Sequence, residues 1–438
     1  MEVYGTVKTW IRDVWSSAFV QNVVVLMSGT ALAQALQFAI SPVLSRLYEP
    51  SAFGLLGVFL ATKSIVSVVS AAKYELSIVL PERDDVAVNL FALGGGIVVL
   101  VSTGILLGVT VGRFQLSALL GEPQLAPYLW WLPLAVLAAG LYKVLNYWAT
   151  RKKHYTRLSI SQGVRSVGVA GTQVPAGYLQ AGPTGLIGGQ VAGQVLATVA
   201  LGAQILREDW RRIWKFLSLR KMRVGAIEYS NFPVYTAPQD LTNSISQNIP
   251  SYLLAFFFSS EAVGFYWFTR RLLNAPSRLV GRAVRKVFYQ RASEKHAEGK
   301  RIFSDLWKTT AGLAGLTVAP VLVILAAGPP IFEFAFGGEW ERAGRYAQWL
   351  ILWWAVGFIN VPAMMLVHTF GLQHLLFGYE VVQAVARVLA IALGAYVGDD
   401  LTSIMLFSIV GMICNGALVG FVFWYVRDRK YSEAELHE

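Results

Sequence analysis

The sequence predicts an all-α polytopic membrane protein of about twelve transmembrane helices. Three observations predict it. Hydrophobic residues make up 55% of the 438 positions and charged residues 14%, and the mean hydropathy is +0.51; that balance is too apolar for a soluble globular chain. Apolar segments of the roughly 20 residues needed to cross a bilayer recur from end to end. Basic residues gather in alternate connecting segments, which is how an oriented membrane chain distributes them.

The spans read, in order, as roughly 20–47, 52–80, 86–112, 126–150, 156–178, 183–206, 226–258, 262–292, 304–328, 343–370, 374–397 and 401–427. Polar turns separate them: ERDD at 82–85, RKKHY at 151–155, AGPTG at 181–185, FGGEWER at 336–342 and GDD at 398–400. Ahead of the first span, Ile11, Val14, Trp15, Ala18 and Phe19 follow helical spacing, as an interfacial helix does. Ala31-Leu32-Ala33 resembles a signal cleavage site, but the apolar run continues past it and the segment reads as uncleaved.

Orientation follows from lysine and arginine. With the N-terminus inside, the inner segments 1–20, 81–88, 151–157, 207–223, 285–301 and 427–438 hold 23 basic residues, and the outer turns hold three, Arg46, Arg113 and Arg342. Both termini are therefore expected in the cytoplasm. The net charge of +11 belongs to this asymmetry and not to a nucleic-acid partner. Residues 207–223, REDWRRIWKFLSLRKMR, divide the spans six and six. Trp210, Ile213, Trp214 and Leu217 share one helical face there, so the segment is expected to be a basic amphipathic linker on the inner leaflet. The expected domains are an N-terminal six-helix lobe over 1–206 and a C-terminal one over 224–438. The halves also echo each other: SAFGLLG at 51–57 and EAVGFYW at 261–267 each follow the first span of a half. Internal repeats of this kind build secondary transporters, with the substrate between them.

Chemistry concentrates where charge enters the membrane. Span eight contains RRLLNAPSRLVGRAVRKVFYQ at 270–290, six basic residues and no acid. Arg271, Arg278, Arg282 and Arg285 fall within an arc of about 60°. A central arginine facing lipid costs roughly 2.5–3.5 kcal/mol, so this stripe is expected to face a water-filled interior, with Pro276 kinking the helix. Span seven supplies a polar face of Asn231, Tyr235, Gln239, Asn243 and Gln247, with Asp240 alongside. Pro233, Pro238 and Pro250 are expected to interrupt it, which is tolerated at membrane depth where backbone lines a cavity; the competing reading is polar packing between helices. Span one repeats the theme with Gln34, Gln37 and Ser41. Span two holds Lys63 near its middle, and Lys73 and Glu75 as a candidate local pair. In span eleven Glu380 and Arg387 are a candidate structural pair, and Glu380, Asp240 and Glu228 are candidate ion binders.

Several classes are excluded by what is missing from the sequence. There is no Walker A sequence, no DxD motif and no His/Cys/carboxylate cluster with metal-ligand spacing. Cys414 is the single cysteine, so there is no disulfide. No cofactor and no enzymatic centre are expected. A transporter with a basic interior, and hence an anionic cargo, is what remains; clustered arginines suit a phosphate group.

SPVLSRLYEPSAFGLLGVFLA at 41–61, KYELSIVLPERDDVAVNL at 73–90 and VGFYWFTRRLLNAPSRLVGRAVRKVFYQRASE at 263–294 resemble the Wzx-type polysaccharide and O-antigen flippases of the multidrug/oligosaccharidyl-lipid/polysaccharide exporter (MOP) superfamily. Lys73 stands where arginine is commoner. The resemblance covers essentially the whole chain. It implies two six-helix lobes around a central cavity in a bacterial inner membrane. It implies alternating access and a cargo of undecaprenyl-diphosphate-linked oligosaccharide moved from the cytoplasmic to the periplasmic leaflet in polysaccharide or lipopolysaccharide biosynthesis. Membrane lipids, a glycan polymerase and a chain-length regulator are the partners it implies, for a monomer that binds no nucleic acid. The diphosphate would then sit on Arg271, Arg278, Arg282, Arg285 and Lys63. A MATE-like drug/cation antiporter and a non-transporting scaffold of a glycan-assembly complex are the alternatives.

Overall fold

The computed structural model describes the backbone of residues 18–298 and 300–432. The N-terminal residues 11–17 expected to lie in the interface fall outside the described residues. Among the described residues the chain is helical throughout, with no strand. The elements are α1 (Ala18–Ala39), α2 (Ser41–Leu47), α3 (Pro50–Val69), α4 (Tyr74–Ser77), α5 (Asp84–Leu119), α6 (Leu132–Arg151), α7 (Tyr155–Tyr178), α8 (Gly182–Phe216), α9 (Leu219–Glu228), α10 (Ala237–Phe257), α11 (Ser260–Ala297), α12 (Phe303–Phe336), α13 (Glu341–Ile359), α14 (Val361–Thr369), α15 (Gln373–Val397) and α16 (Asp400–Ser432). Short 3₁₀ turns lead into α6 and α13, and a π turn, Phe232–Thr236, leads into α10.

Among the described residues, eight stretches are long and apolar enough to cross a membrane. Span one, which forms as α1, is not in that apolar set, and neither are the helices of spans five, seven and eight, which form as α7, α10 and α11. For the last three their own residues explain why: α7 carries Arg157 and Arg165, α10 carries the polar stripe, and α11 carries the arginine run. The expected spans also break where local chemistry dictates. Span two ends in a left-handed turn, with positive φ at Ala72 and Lys73, before α4. Span ten divides at Asn360, where Pro362 opens α14.

The chain packs as two compact units. Unit 1 comprises residues 1–48 and 58–248, and unit 2 comprises 49–57 and 249–438. These bounds differ from the expected lobes: the first turns of α3 group with the C-terminal half, and 224–248 group with the N-terminal half.

The core of unit 1 lies between α5, α6 and α8, around Trp148, Leu90 and Leu201, all fully buried. The Trp148 indole donates to Asp209 at 2.9 Å. That bond corrects the expected separate linker helix. No glycine or proline stands between Gly202 and Gly225, so α8 runs unbroken to Phe216, and Ile213 is buried in the core while Trp210 and Trp214 are exposed. The ERDD turn is latched beside it: Arg212 of α8 pairs with Asp84 at 3.5 Å, Lys152 at the end of α6 with Asp84 at 2.9 Å, and Lys221 of α9 with Asp85 at 2.7 Å. The Asn89 side chain bridges Phe216 O and Ser218 N, each at 2.8 Å.

In unit 2 the two echoing segments meet. A Cβ on Gly54 would lie 1.7 Å from Ser260 O, and one on Gly264 would lie 2.0 Å from Pro50 O. The two helix starts therefore cross backbone to backbone, as small residues permit in membranes. Phe53 packs beside this crossing against Phe268 and Trp340, at ring separations of 5.3 and 5.1 Å. Trp340, expected in a polar turn, is fully buried. The GDD turn is an ion-pair site and not a bare turn: Arg342 pairs with Asp399 at 3.3 Å and with Asp400, and Tyr346 donates to Asp400. The Thr402 backbone N–H donates to Asp399 and holds its carboxyl below the usual carboxylate range.

Candidate functional site

Unit 1 gathers cations inside its long helices. Lys63 lies well inside α3, Lys143 inside α6 and Arg165 inside α7, each half-buried. Arg165 and Lys143 both act on Lys63 through space. Among the described residues no carboxylate is within ion-pair distance of any of the three. Close packing of α7 on α8 sets Arg165 in place: a Cβ on Gly193 would lie 2.8 Å from Arg165 O and 2.3 Å from the Val169 side chain, so only glycine allows this approach. Lys143 Nζ donates to Ser67 O, near the end of α3.

A second group lies beside these cations. Lys73 pairs with Asp240 at 2.7 Å and not with Glu75, which corrects the expected local pair. The left-handed turn at Lys73 lifts its side chain off α4 toward α10. Glu75 is 2% exposed and its Oε2 has no hydrogen-bond partner. Its field reaches Lys143, as does that of Asp240. Six charges, four positive (Lys63, Lys73, Lys143, Arg165) and two negative (Glu75, Asp240), thus share one neighbourhood with an excess of positive charge.

The span-seven face is open. Tyr235 is 69% exposed, and Asn231, Gln239, Asn243 and Gln247 are exposed with it. An exposed polar face is what a cavity lining requires. The expected interruptions are milder than their prolines suggest: Pro233 falls in the π turn, while α10 runs unbroken through Pro238 and Pro250. Replacing Asn243 and Gln247 with leucine should lower transport severalfold while leaving the amount of protein in the membrane nearly unchanged, measured by immunoblot of membranes. In span one Gln37 donates to Ser166 O at 3.2 Å, and the Gln34 Oε1 is buried without a partner.

In unit 2 the arginine run lies on α11, which continues through Pro276 as helix. Arg271 stands over the Trp267 ring at 5.4 Å and Arg270 over Tyr266 at 5.9 Å. Arg285 is exposed. The side chains of Arg278 and Arg282 lie outside the described residues. Glu380 and Arg387 do not form the expected pair: Glu380 is exposed, and the Arg387 guanidinium sits 4.8 Å from the Trp353 ring centroid and 5.4 Å from that of Phe407. Residues seven apart on a helix are separated by two turns, roughly 10.5 Å, and the neighbouring helices offer the arginine two aromatic faces instead.

A family model described as "polysaccharide biosynthesis protein" matches residues 43–344. The chain belongs to that family. No curated protein matches. Among solved structures, this family member is similar in fold to an inward-facing multidrug resistance MATE transporter of the MOP superfamily, with a TM-score of 0.67, 11% identity, and 92% of this chain and 96% of that one covered. It is similar to the lipid II flippase MurJ in an inward closed conformation, with a TM-score of 0.65, 10% identity, and 92% and 90% covered. A MOP superfamily transporter from Pyrococcus furiosus, described by a reversed polarity of its binding pocket, matches with a TM-score of 0.57, 14% identity, and 93% and 95% covered. The protein is thus a multi-pass membrane protein with the MOP transporter fold, which bears out the resemblance read from the sequence at the level of family and fold.

Of the family member's candidate residues, the structure brings Lys63 together with Lys143 and Arg165, which the sequence reading missed. The signal that marks Lys63, a cation deep in an apolar helix, marks all three. Lys143 stands beside Tyr142 and Asn146, and Arg165 beside Gln162 and Ser166, so each reads in sequence as one polar residue among several.

Proposed function

We propose that this protein moves an undecaprenyl-diphosphate-linked oligosaccharide from the cytoplasmic to the periplasmic leaflet of a bacterial inner membrane by alternating access. The observation that carries the reading is the group Lys63, Lys143 and Arg165, half-buried cations at membrane depth with no ion-pair partner among the described residues. Leaving such charge uncompensated is costly, and a diphosphate supplies the missing anion through charge-assisted hydrogen bonds. Membership of a polysaccharide biosynthesis family and fold likeness to a lipid II flippase support a lipid-linked saccharide as the cargo. A drug/cation antiporter shares the fold, but a basic interior repels a cationic cargo. The glycan polymerase and chain-length regulator are proposed as downstream partners, and the basic-residue asymmetry supports cytoplasmic termini.

The diphosphate is assigned first to the unit 1 cations. Arg271, Arg278, Arg282 and Arg285 serve in this reading as the basic face that the headgroup meets along α11. The test is binding of purified full-length protein to undecaprenyl-diphosphate-linked oligosaccharide. Arg278→Ala should weaken binding about tenfold, and Arg278→Lys should recover part of the loss, because lysine keeps the charge but loses the planar fork. Wild-type protein that binds the undiphosphorylated alcohol as well as the diphosphate would overturn the reading.

A further inference from the structure

Unit 2 holds an open cavity of about 590 Å³, within the usual range of small-ligand sites. One wall is aromatic: Trp353, Trp354 and Phe358 of α13 line it, and the last two rings stack at 5.6 Å, 4° from parallel. The other wall is polar, with Arg285 of α11, Arg387 of α15 and Asn415 of α16. Among the described residues no carboxylate lines it.

Two buried atoms in or beside this wall lack partners. The Arg387 Nε–H finds no acceptor, and among the described residues Arg387 makes no hydrogen bond or ion pair, only its two ring contacts. Asn360 donates to Asn415 Oδ1 at 2.9 Å, yet its own Oδ1 is unpartnered. Asn415 is itself fixed, donating to Gly411 O at 2.7 Å and placed within 3.4 Å of the Tyr379 hydroxyl, which accepts from Gln383 at 2.7 Å. The polar wall is therefore held in place by its own network while leaving a guanidinium donor unused. An unused buried donor is costly, and a fitting ligand recovers that cost.

We propose that this cavity is a saccharide subsite that selects a carboxylated sugar, such as a uronic acid residue of the oligosaccharide. The inference rests on the flippase reading and names the class of sugar the cargo carries. The indole faces take the apolar face of a pyranose ring, Asn415 meets ring hydroxyls, and Arg387 with Arg285 takes the carboxylate. A diphosphate offers no apolar face to an aromatic wall, which separates this cavity from the cation group of unit 1.

The experiment uses full-length protein in nanodiscs and three probes: a uronate-containing oligosaccharide, the same oligosaccharide with its carboxyl reduced to the alcohol, and bare undecaprenyl diphosphate. A charge-assisted hydrogen bond of about 1.5–3 kcal/mol corresponds to roughly ten- to a hundredfold in affinity, so the uronate should bind at least tenfold tighter than its reduced form. Arg387→Gln should erase that preference and leave undecaprenyl diphosphate binding within twofold of wild type. Among the described residues Arg387 has no ion-pair partner to strand, so the variant should keep its melting temperature; Arg387→Lys should hold part of the preference and serves if the glutamine variant folds poorly. Equal binding of the two oligosaccharides, or no binding of either, would overturn the proposal while leaving the flippase reading intact. An Arg387→Gln variant that loses undecaprenyl diphosphate in parallel would make the cavity a diphosphate site and overturn it as well. Wild-type protein that binds no undecaprenyl diphosphate would instead remove the flippase reading.

Discussion

Replacing Lys63 and Arg165 together with alanine is expected to bring translocation to background. In the proposed function each group would contribute a charge-assisted hydrogen bond worth about 1.5–3 kcal/mol to a bound diphosphate, or roughly ten- to a hundredfold singly, and the two together would exceed a hundredfold if they act independently. Stability should move the other way. Lys63 lies in the repulsive fields of Arg165 and Lys143, so deleting two of the three cations removes repulsion and leaves no buried carboxylate stranded. The expected signature is an equal or higher melting temperature with lost transport, the pattern of a functional site that is strained against stability. A structural role would instead lower both. Lys73→Ala should behave in that second manner, because it leaves Asp240 without its 2.7 Å partner.

The second large effect concerns the helix crossing of unit 2. Gly264→Ala should prevent accumulation in the membrane or lower the melting temperature sharply. The added carbon would lie 2.0 Å from Pro50 O and 2.8 Å from Pro50 C. Those are backbone atoms that no rotamer change can move, so the two helices must separate. Overpacking ordinarily costs about 1–3 kcal/mol, and here the ring stack of Phe53, Phe268 and Trp340 is pulled apart with it. Gly416→Ala is the control: it has open space around it, and alanine is worth up to about 1 kcal/mol over glycine in a helix. Thermal melts of the two purified variants beside wild type decide the matter.

Particular residues show how far the sequence could be read. The echo between SAFGLLG and EAVGFYW anticipates a structural relation, and Gly54 and Gly264, the fourth residue of each segment, are where the two cross. Alternating hydropathy located most helices because burial in lipid needs only composition. The errors have physical causes. The 207–223 segment has an amphipathic pattern, but pattern says nothing of where a helix stops, and only Leu217 and Ser218 leave helical geometry. Lys73 reads as a partner of Glu75 because they are near in sequence, whereas the left-handed turn turns it to Asp240. Arg387 reads as a partner of Glu380 because opposite charges attract on paper; the aromatic rings that hold it come from helices α13 and α16, whose proximity no local spacing reveals. The unit bounds were likewise hidden, since a long helix such as α3 can serve two packing groups without any change in composition.

The most direct test of the central claim is a translocation assay in sealed vesicles. Purified protein is reconstituted with a fluorescently labelled undecaprenyl-diphosphate-linked oligosaccharide in one leaflet, and the loss of headgroup accessibility is followed with time. Wild-type protein is expected to translocate the lipid-linked saccharide, the Lys63→Ala/Arg165→Ala variant to run at background rates at unchanged protein content, and a cationic dye not to compete. Equal rates for the variant and wild type, or movement of the dye and not of the lipid-linked saccharide, would contradict that claim.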